Sequence, residues 1–227
     1  TGRVFNSNAS YTYNSNVAQI TGTGLPLTVS NLSISSTDLM GSNTITLTNN
    51  NTTVTNALNL NNGFFAAGTS GNLQIAAGGT IFGTGGHNPN DASAGNIVFL
   101  GAGSTTGTLT GYPRLYSVII NGAVDFRGGA GESATILNKL QLNSGSSVSD
   151  APYYQSGSSL VYSTGGNYNR NVEWGSAGSQ GYPHHVTVQA GTIVNLNSNP
   201  ISPAQLELGG DLVIGNTNGS GQVYMNN

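Results

Sequence analysis

Three times along this 227-residue chain a Gly-x-Pro turn opens onto an alternating apolar strand. Gly24-Leu25-Pro26 leads into Leu27-Thr28-Val29, Gly111-Tyr112-Pro113 into Val118-Ile119-Ile120, and Gly181-Tyr182-Pro183 into Val186-Thr187-Val188. A Leu-x-Leu pair follows each after a further stretch: Leu58 and Leu60, Leu140 and Leu142, Leu206 and Leu208. An irregular long-period repeat of turn and strand signals predicts stacked β-structure rather than a fold wrapped around a pocket.

The rest of the chain carries the same signals. Leu32-Ser33-Ile34, Ile45-Thr46-Leu47 and Leu73-Gln74-Ile75 place apolar residues two apart, which sends one set of side chains inward and the other to water. Windows with helical spacing free of Gly or of Asn/Ser/Thr clusters are absent. The separators are Asn and Gly runs such as Asn49-Asn50-Asn51, Asn61-Asn62-Gly63, Gly78-Gly79, Gly128-Gly129, Gly165-Gly166 and Gly209-Gly210, residues that tolerate the positive φ of a tight corner. Short strands without hairpin signatures favour a parallel β-solenoid over a sandwich. At roughly 20 to 25 residues per coil, residues 1–227 form a single domain of about ten coils, a rod about 45 to 50 Å long at the ~4.8 Å strand spacing. Gly-rich stretches at 83–95, 101–111 and 165–181 are expected to protrude as loops.

Charged residues make up 6% of the chain, against a usual ~25%, so the exterior must be built from Asn, Ser, Thr and Gly. Disorder is disfavoured because Val, Ile, Leu and Tyr recur at strand spacing throughout. With five basic residues, Arg3, Arg114, Arg127, Lys139 and Arg170, and a net charge of -3, the chain lacks the electrostatic footprint of nucleic-acid binding. No apolar run reaches the ~20 residues of a membrane-spanning helix. There is no cysteine for disulfides or thiolate metal sites. A chain that starts at Thr1 is expected to be a processed product or a segment of a longer polypeptide.

Candidate chemistry is thin. Asp125, Arg127, Glu132 and Lys139 form the densest charged stretch, and two carboxylates flanking an Arg are what a β-helical polysaccharide lyase or hydrolase could use; the plainer reading of Asp125 and Arg127 is an exposed ion pair on one strand face. Adjacent His184 and His185 are expected on opposite sides of a strand, and His87 stands alone, so no shared metal is expected. Asn88, Asn90 and Asp91, beside Gly83, Gly85 and Gly86, offer oxygen ligands for Ca²⁺ but with a lone acid, and read as a turn. Tyr153, Tyr154, Tyr162, Tyr168 and Trp174 fall close together and suit the core, a protein contact or a sugar platform. Thr44, Thr46 and Thr48 alternate with Ile45 and Leu47 as threonine rows of ice-binding solenoids do, in a single run. No catalytic, metal or cofactor residues are assigned.

The run from Tyr11 to Ile34, Tyr-Thr-Tyr-Asn-Ser-Asn-Val-Ala-Gln-Ile-Thr-Gly-Thr-Gly-Leu-Pro-Leu-Thr-Val-Ser-Asn-Leu-Ser-Ile, resembles a segment of very large secreted and surface proteins of Bacteroidetes. The stretch from Tyr153 to Val188 looks like the same unit again. Those proteins look like right-handed parallel β-helices and often end in a type IX secretion sorting domain. The middle repeat departs from the pattern with Arg114 and Leu115 after its Pro. The resemblance implies a non-enzymatic extracellular structural or adhesive module, a stalk, adhesin or filament subunit, needing no cofactor. A carbohydrate-active β-helix enzyme and a sugar-binding module are the alternatives. Unpaired strand edges at both rod ends call for neighbouring domains or identical subunits as partners, with surface glycans as possible ligands.

Overall fold

In the computed structural model the described residues are 5–14, 16–35, 43–87, 94–106, 113–127, 133–196, 207–215 and 219–224. They form strands, turns and bends, with no helix among them. Every strand-to-strand pairing between named strands is parallel, and the chain winds as a β-solenoid of about seven turns. Nineteen strands join one continuous sheet and three more, Asn167–Asn169, Ile193–Asn195 and Gln222–Tyr224, form a second.

Each turn visits three faces. The coil that begins at Phe64–Ala66 passes to Asn72–Ile75 and then to Thr80–Phe82 before the next coil starts at Gly86–His87. The short strands anticipated from alternation are therefore the sides of one coil. Where a single strand spans two faces, its register slips: Val29 pairs with Val54, but Asn31 pairs with Ala57. The slip lets Val29 and Leu32, three residues apart, both point inward, which a straight strand forbids.

Registers connect the coils into columns. One inward column runs Val29, Val54, Ile75, Phe99, Ile120, Leu142, Tyr162, Val188 and Ile214. Its neighbour runs Thr52, Leu73, Ile97, Val118, Leu140, Leu160, Val186 and Leu212. Successive members lie 20 to 26 residues apart, as Leu142 to Tyr162 and Tyr162 to Val188 show. Apart from the last rung these side chains are fully or almost fully buried, and their apolar members form part of the core. Their burial supplies the hydrophobic driving force, while the parallel ladder pairs the backbone polar groups of the strands.

The exterior carries amide ladders. The Asn72 carboxamide donates to Asn51 Oδ1 and the Asn96 carboxamide to Asn72 Oδ1, each at 3.1 Å. On another face Asn56 donates to Asn31 Oδ1 at 2.7 Å and Asn31 to Ser10 Oγ at 2.9 Å. The exterior is not purely polar, however. One outward column reads Thr53, Gln74, Val98, Ile119, Gln141, Val161, Thr187 and Val213.

Corners behave as their composition demands. Asn62 is the one described non-glycine residue with positive φ, 57°, and the following Gly63 has no room for a side chain because Ile34 of the preceding coil packs against it. Two sequence expectations change here. Leu27 precedes its strand and lies exposed instead of facing inward with Val29. The Gly-rich stretches also behave differently within the described residues: after Gly101 the chain re-enters the ladder as strand Ser104–Thr106, and Gly86–His87 is likewise a strand. The stretch from 165 folds back, burying Trp174, with Ala177 to Ser179 exposed.

Candidate functional site

The largest concentration of polar chemistry lies inside the rod. After strand Asn167–Asn169 the chain does not form a strand on the face occupied one coil earlier by Tyr153–Tyr154. Instead residues 170–174 turn inward. Glu173 is fully buried; its Oε1 and Oε2 accept the Asn171 N–H at 3.0 and 3.1 Å, and Oε1 accepts the Tyr162 hydroxyl at 3.1 Å. Tyr154 donates its hydroxyl to the Glu173 carbonyl at 3.1 Å. Arg170, also buried, donates to the carbonyls of Leu196, Asn171 and Trp174, and the Trp174 indole N–H donates to the Glu207 carbonyl at 3.0 Å. Side chains thus satisfy the backbone groups that a ladder strand would otherwise have paired.

Burial pushes the Glu173 carboxyl above its ordinary value, against the opposing pull of the Asn171 amide, the Tyr162 hydroxyl and the Arg170 charge. Burial, reinforced by the Glu173 charge, raises Tyr154, Tyr162 and Tyr168 well above the ordinary phenol value. The Tyr168 hydroxyl is buried without a hydrogen-bond partner. A carboxylate with no solvent access cannot meet a polymer substrate, so the arrangement is a structural plug. Of the aromatic group expected from sequence, Tyr162, Tyr168 and Trp174 belong to the core, Tyr154 packs against it, and Tyr153 is exposed. Sequence reading missed Glu173 and Arg170; their only signal was a pair of charges beside Trp174 in a chain that has few.

His87 is a buried titratable group apart from that cluster. It continues an inward column through Ile45 and Phe65, its ring 4.3 Å from that of Phe65. Nδ1 accepts the Tyr116 N–H at 2.8 Å and Nε2 is buried without a partner. Burial lowers its pKa to about 3.

The other candidates separate. Asp125 pairs in register with Thr105 and Asp150, whereas Lys139 lies on another face between Ser117 and Ser159 and donates to Gln141 Oε1 at 3.3 Å. Asp125 Oδ1 accepts the Arg127 backbone N–H at 2.8 Å. Glu132, Asn88, Asn90 and Asp91 lie outside the described residues. His184 precedes its strand, so its ring does not oppose His185 but packs edge-on to it at 4.5 Å, correcting the opposite-sides expectation. Gly209 and Gly210 of the next coil lie against these two rings. His185 Nδ1 accepts the Asp211 N–H at 3.0 Å and lies 3.5 Å from Asp211 Oδ2. The threonine row does not extend: Thr44 is buried, and Thr46 pairs with Ala66 in the next coil. No cluster of three metal-ligating side chains occurs among the described residues.

Two shallow troughs lie on the surface among the described residues. One, of about 310 Å³, is lined by Asn167, Asn169, Ile193, Asn195 and Tyr224. The other, of about 500 Å³, is lined by Asn59, Asn61, Asn62, Phe82, Gly83 and Thr84. No family model, no curated protein and no solved structure matches this chain.

Proposed function

We propose that the chain is a non-enzymatic structural and adhesive module of an extracellular bacterial surface protein, a right-handed rod serving as stalk, adhesin or filament subunit. The observation that carries this reading is the nine-deep inward column from Val29 to Ile214, built on one parallel ladder. Such a ladder directs its hydrogen bonds along the rod, so axial load is shared by many bonds at once. Right-handed winding follows the strong preference of parallel crossovers. An exterior of amide ladders keeps the rod hydrated with little charge, in keeping with the resemblance to Bacteroidetes surface proteins.

The described rod ends support assembly. Strand Leu212–Ile214 pairs with His185–Val188 on one side, and its Leu212, Val213 and Ile214 are each close to half exposed. Val17 and Ile20 are exposed near the opposite end. Neighbouring coils or a second copy would extend these columns. Sedimentation across a concentration series, with electron microscopy of the same samples, tests this: rods that lengthen with concentration are expected, and a dispersed monomer at every concentration would refute end-to-end contact.

A further inference from the structure

The two troughs repeat one motif. In the first, Asn169, Asn195 and Tyr224 occupy a single outward column on three successive coils. In the second, Asn59 and Phe82 occupy one outward column on successive coils. Each trough therefore sets an aromatic ring one rung, ~4.8 Å, from a carboxamide; in the second Asn61 follows two residues along from Asn59, and in the first Asn169 stands one rung beyond Asn195 with Asn167 two residues along from it. Half-buried Ile193 floors the first trough, and Asn62 accepts a hydrogen bond from Thr84 at the rim of the second. Among the described residues no charged side chain lines either one.

We propose that these troughs bind neutral hexopyranose polysaccharide. This deepens the adhesive reading above and rests on it. A pyranose has an apolar C–H face and a rim of hydroxyls that both donate and accept. Tyr224, 49% exposed, offers a ring for that face, and its hydroxyl donates to Gln222 Oε1 at 3.1 Å, which fixes the ring's orientation. Carboxamides match the rim because each carries two N–H donors and a carbonyl acceptor. Asn167 and Asn169 are exposed, and the bond that Asn169 Oδ1 accepts from Asn195 is long, 3.4 Å, which leaves that carbonyl oxygen acceptor capacity for a sugar hydroxyl. The trough volumes lie at the small end of ligand sites and both are open, which suits part of a long chain rather than an enclosed molecule. The absence of a lining cation disfavours acidic glycans, and with no lining carboxylate the bound sugar is held without turnover. Each trough contributes weakly, and two on one rod act together on a polymer through effective concentration.

The test is affinity electrophoresis and calorimetry of the full chain with laminarin, mannan and cello-oligosaccharides, set against alginate and polygalacturonate. Binding to at least one neutral glycan and none to the acidic pair is expected. Tyr224→Ala with Phe82→Ala should weaken binding at least about tenfold, while Tyr224→Phe with Phe82→Tyr retains it; circular dichroism checks that each variant is folded. Unchanged affinity in the folded double alanine variant, preference for acidic glycans, or no glycan binding would each overturn the proposal. Rod-end assembly is read separately by sedimentation, so losing the troughs leaves that reading standing, and the reverse.

Discussion

His87 turns one burial decision into a measurable pH dependence. Its folded pKa is lowered to about 3 from an ordinary 6.5 because the ring is enclosed on the Phe65 column. The unfolded chain therefore binds a proton that the folded chain refuses, and stability present above pH 6.5 is lost as pH falls toward 3. Linkage with these two values predicts a loss of about 2 kcal/mol between pH 7 and 5 and about 3 kcal/mol by pH 4. The perturbation is His87→Leu, which keeps the apolar contact with Phe65 but leaves the Tyr116 N–H unpaired, costing about 1–3 kcal/mol at every pH. Urea unfolding of both proteins at pH 7, 5 and 4 isolates the histidine as the change in their difference. The wild type is expected to lose about 2 kcal/mol more than the variant between pH 7 and 5. Parallel stability profiles, agreeing within about 0.5 kcal/mol, would show that His87 is not held neutral in the core.

Glu173 has the opposite sign. Its folded pKa is raised above the ordinary 4.5, so its contribution is complete below that pH and declines as pH rises through the folded value. Glu173→Gln should remove this decline, and the wild type measured against it by urea unfolding should lose ground steadily above about pH 4.5. Gly85→Ala would bring a methyl group to 2.7 Å from the Gly63 nitrogen and 2.8 Å from the Leu60 carbonyl oxygen of the preceding coil. The coils must spread, for an expected loss of about 1–3 kcal/mol in thermal or urea unfolding. Gly166→Ala, with nothing within 4 Å of its Cβ, should stay within about 0.5 kcal/mol of wild type and serves as the control.

Much of the architecture is local and so could be read from the chain. Alternation in Leu32-Ser33-Ile34 or Leu73-Gln74-Ile75 depends only on the two-residue period of a strand, and these residues are inward where that period puts them. Asn62 and the positive-φ glycines at Gly78, Gly83 and Gly165 mark corners because few other residues tolerate that backbone. A low charge content likewise implies an amide exterior, as the Asn51, Asn72 and Asn96 ladder bears out.

Tertiary structure decided which residue stacks on which. Coil length varies between 20 and 26 residues, so no fixed period aligns His87 with Phe65 or Tyr162 with Leu142 in the sequence. Register slips at the corners, such as that between Val29 and Asn31, also change which parity faces inward. For this reason Glu173 and Arg170, which read as surface charges in one dimension, lie in the core: their burial depends on a strand missing from one face, and that is a property of the neighbouring coils. Strand identity follows from the alternation of adjacent side chains, but the environment of each side chain follows from residues some twenty or more positions away, brought near only when the rod closes.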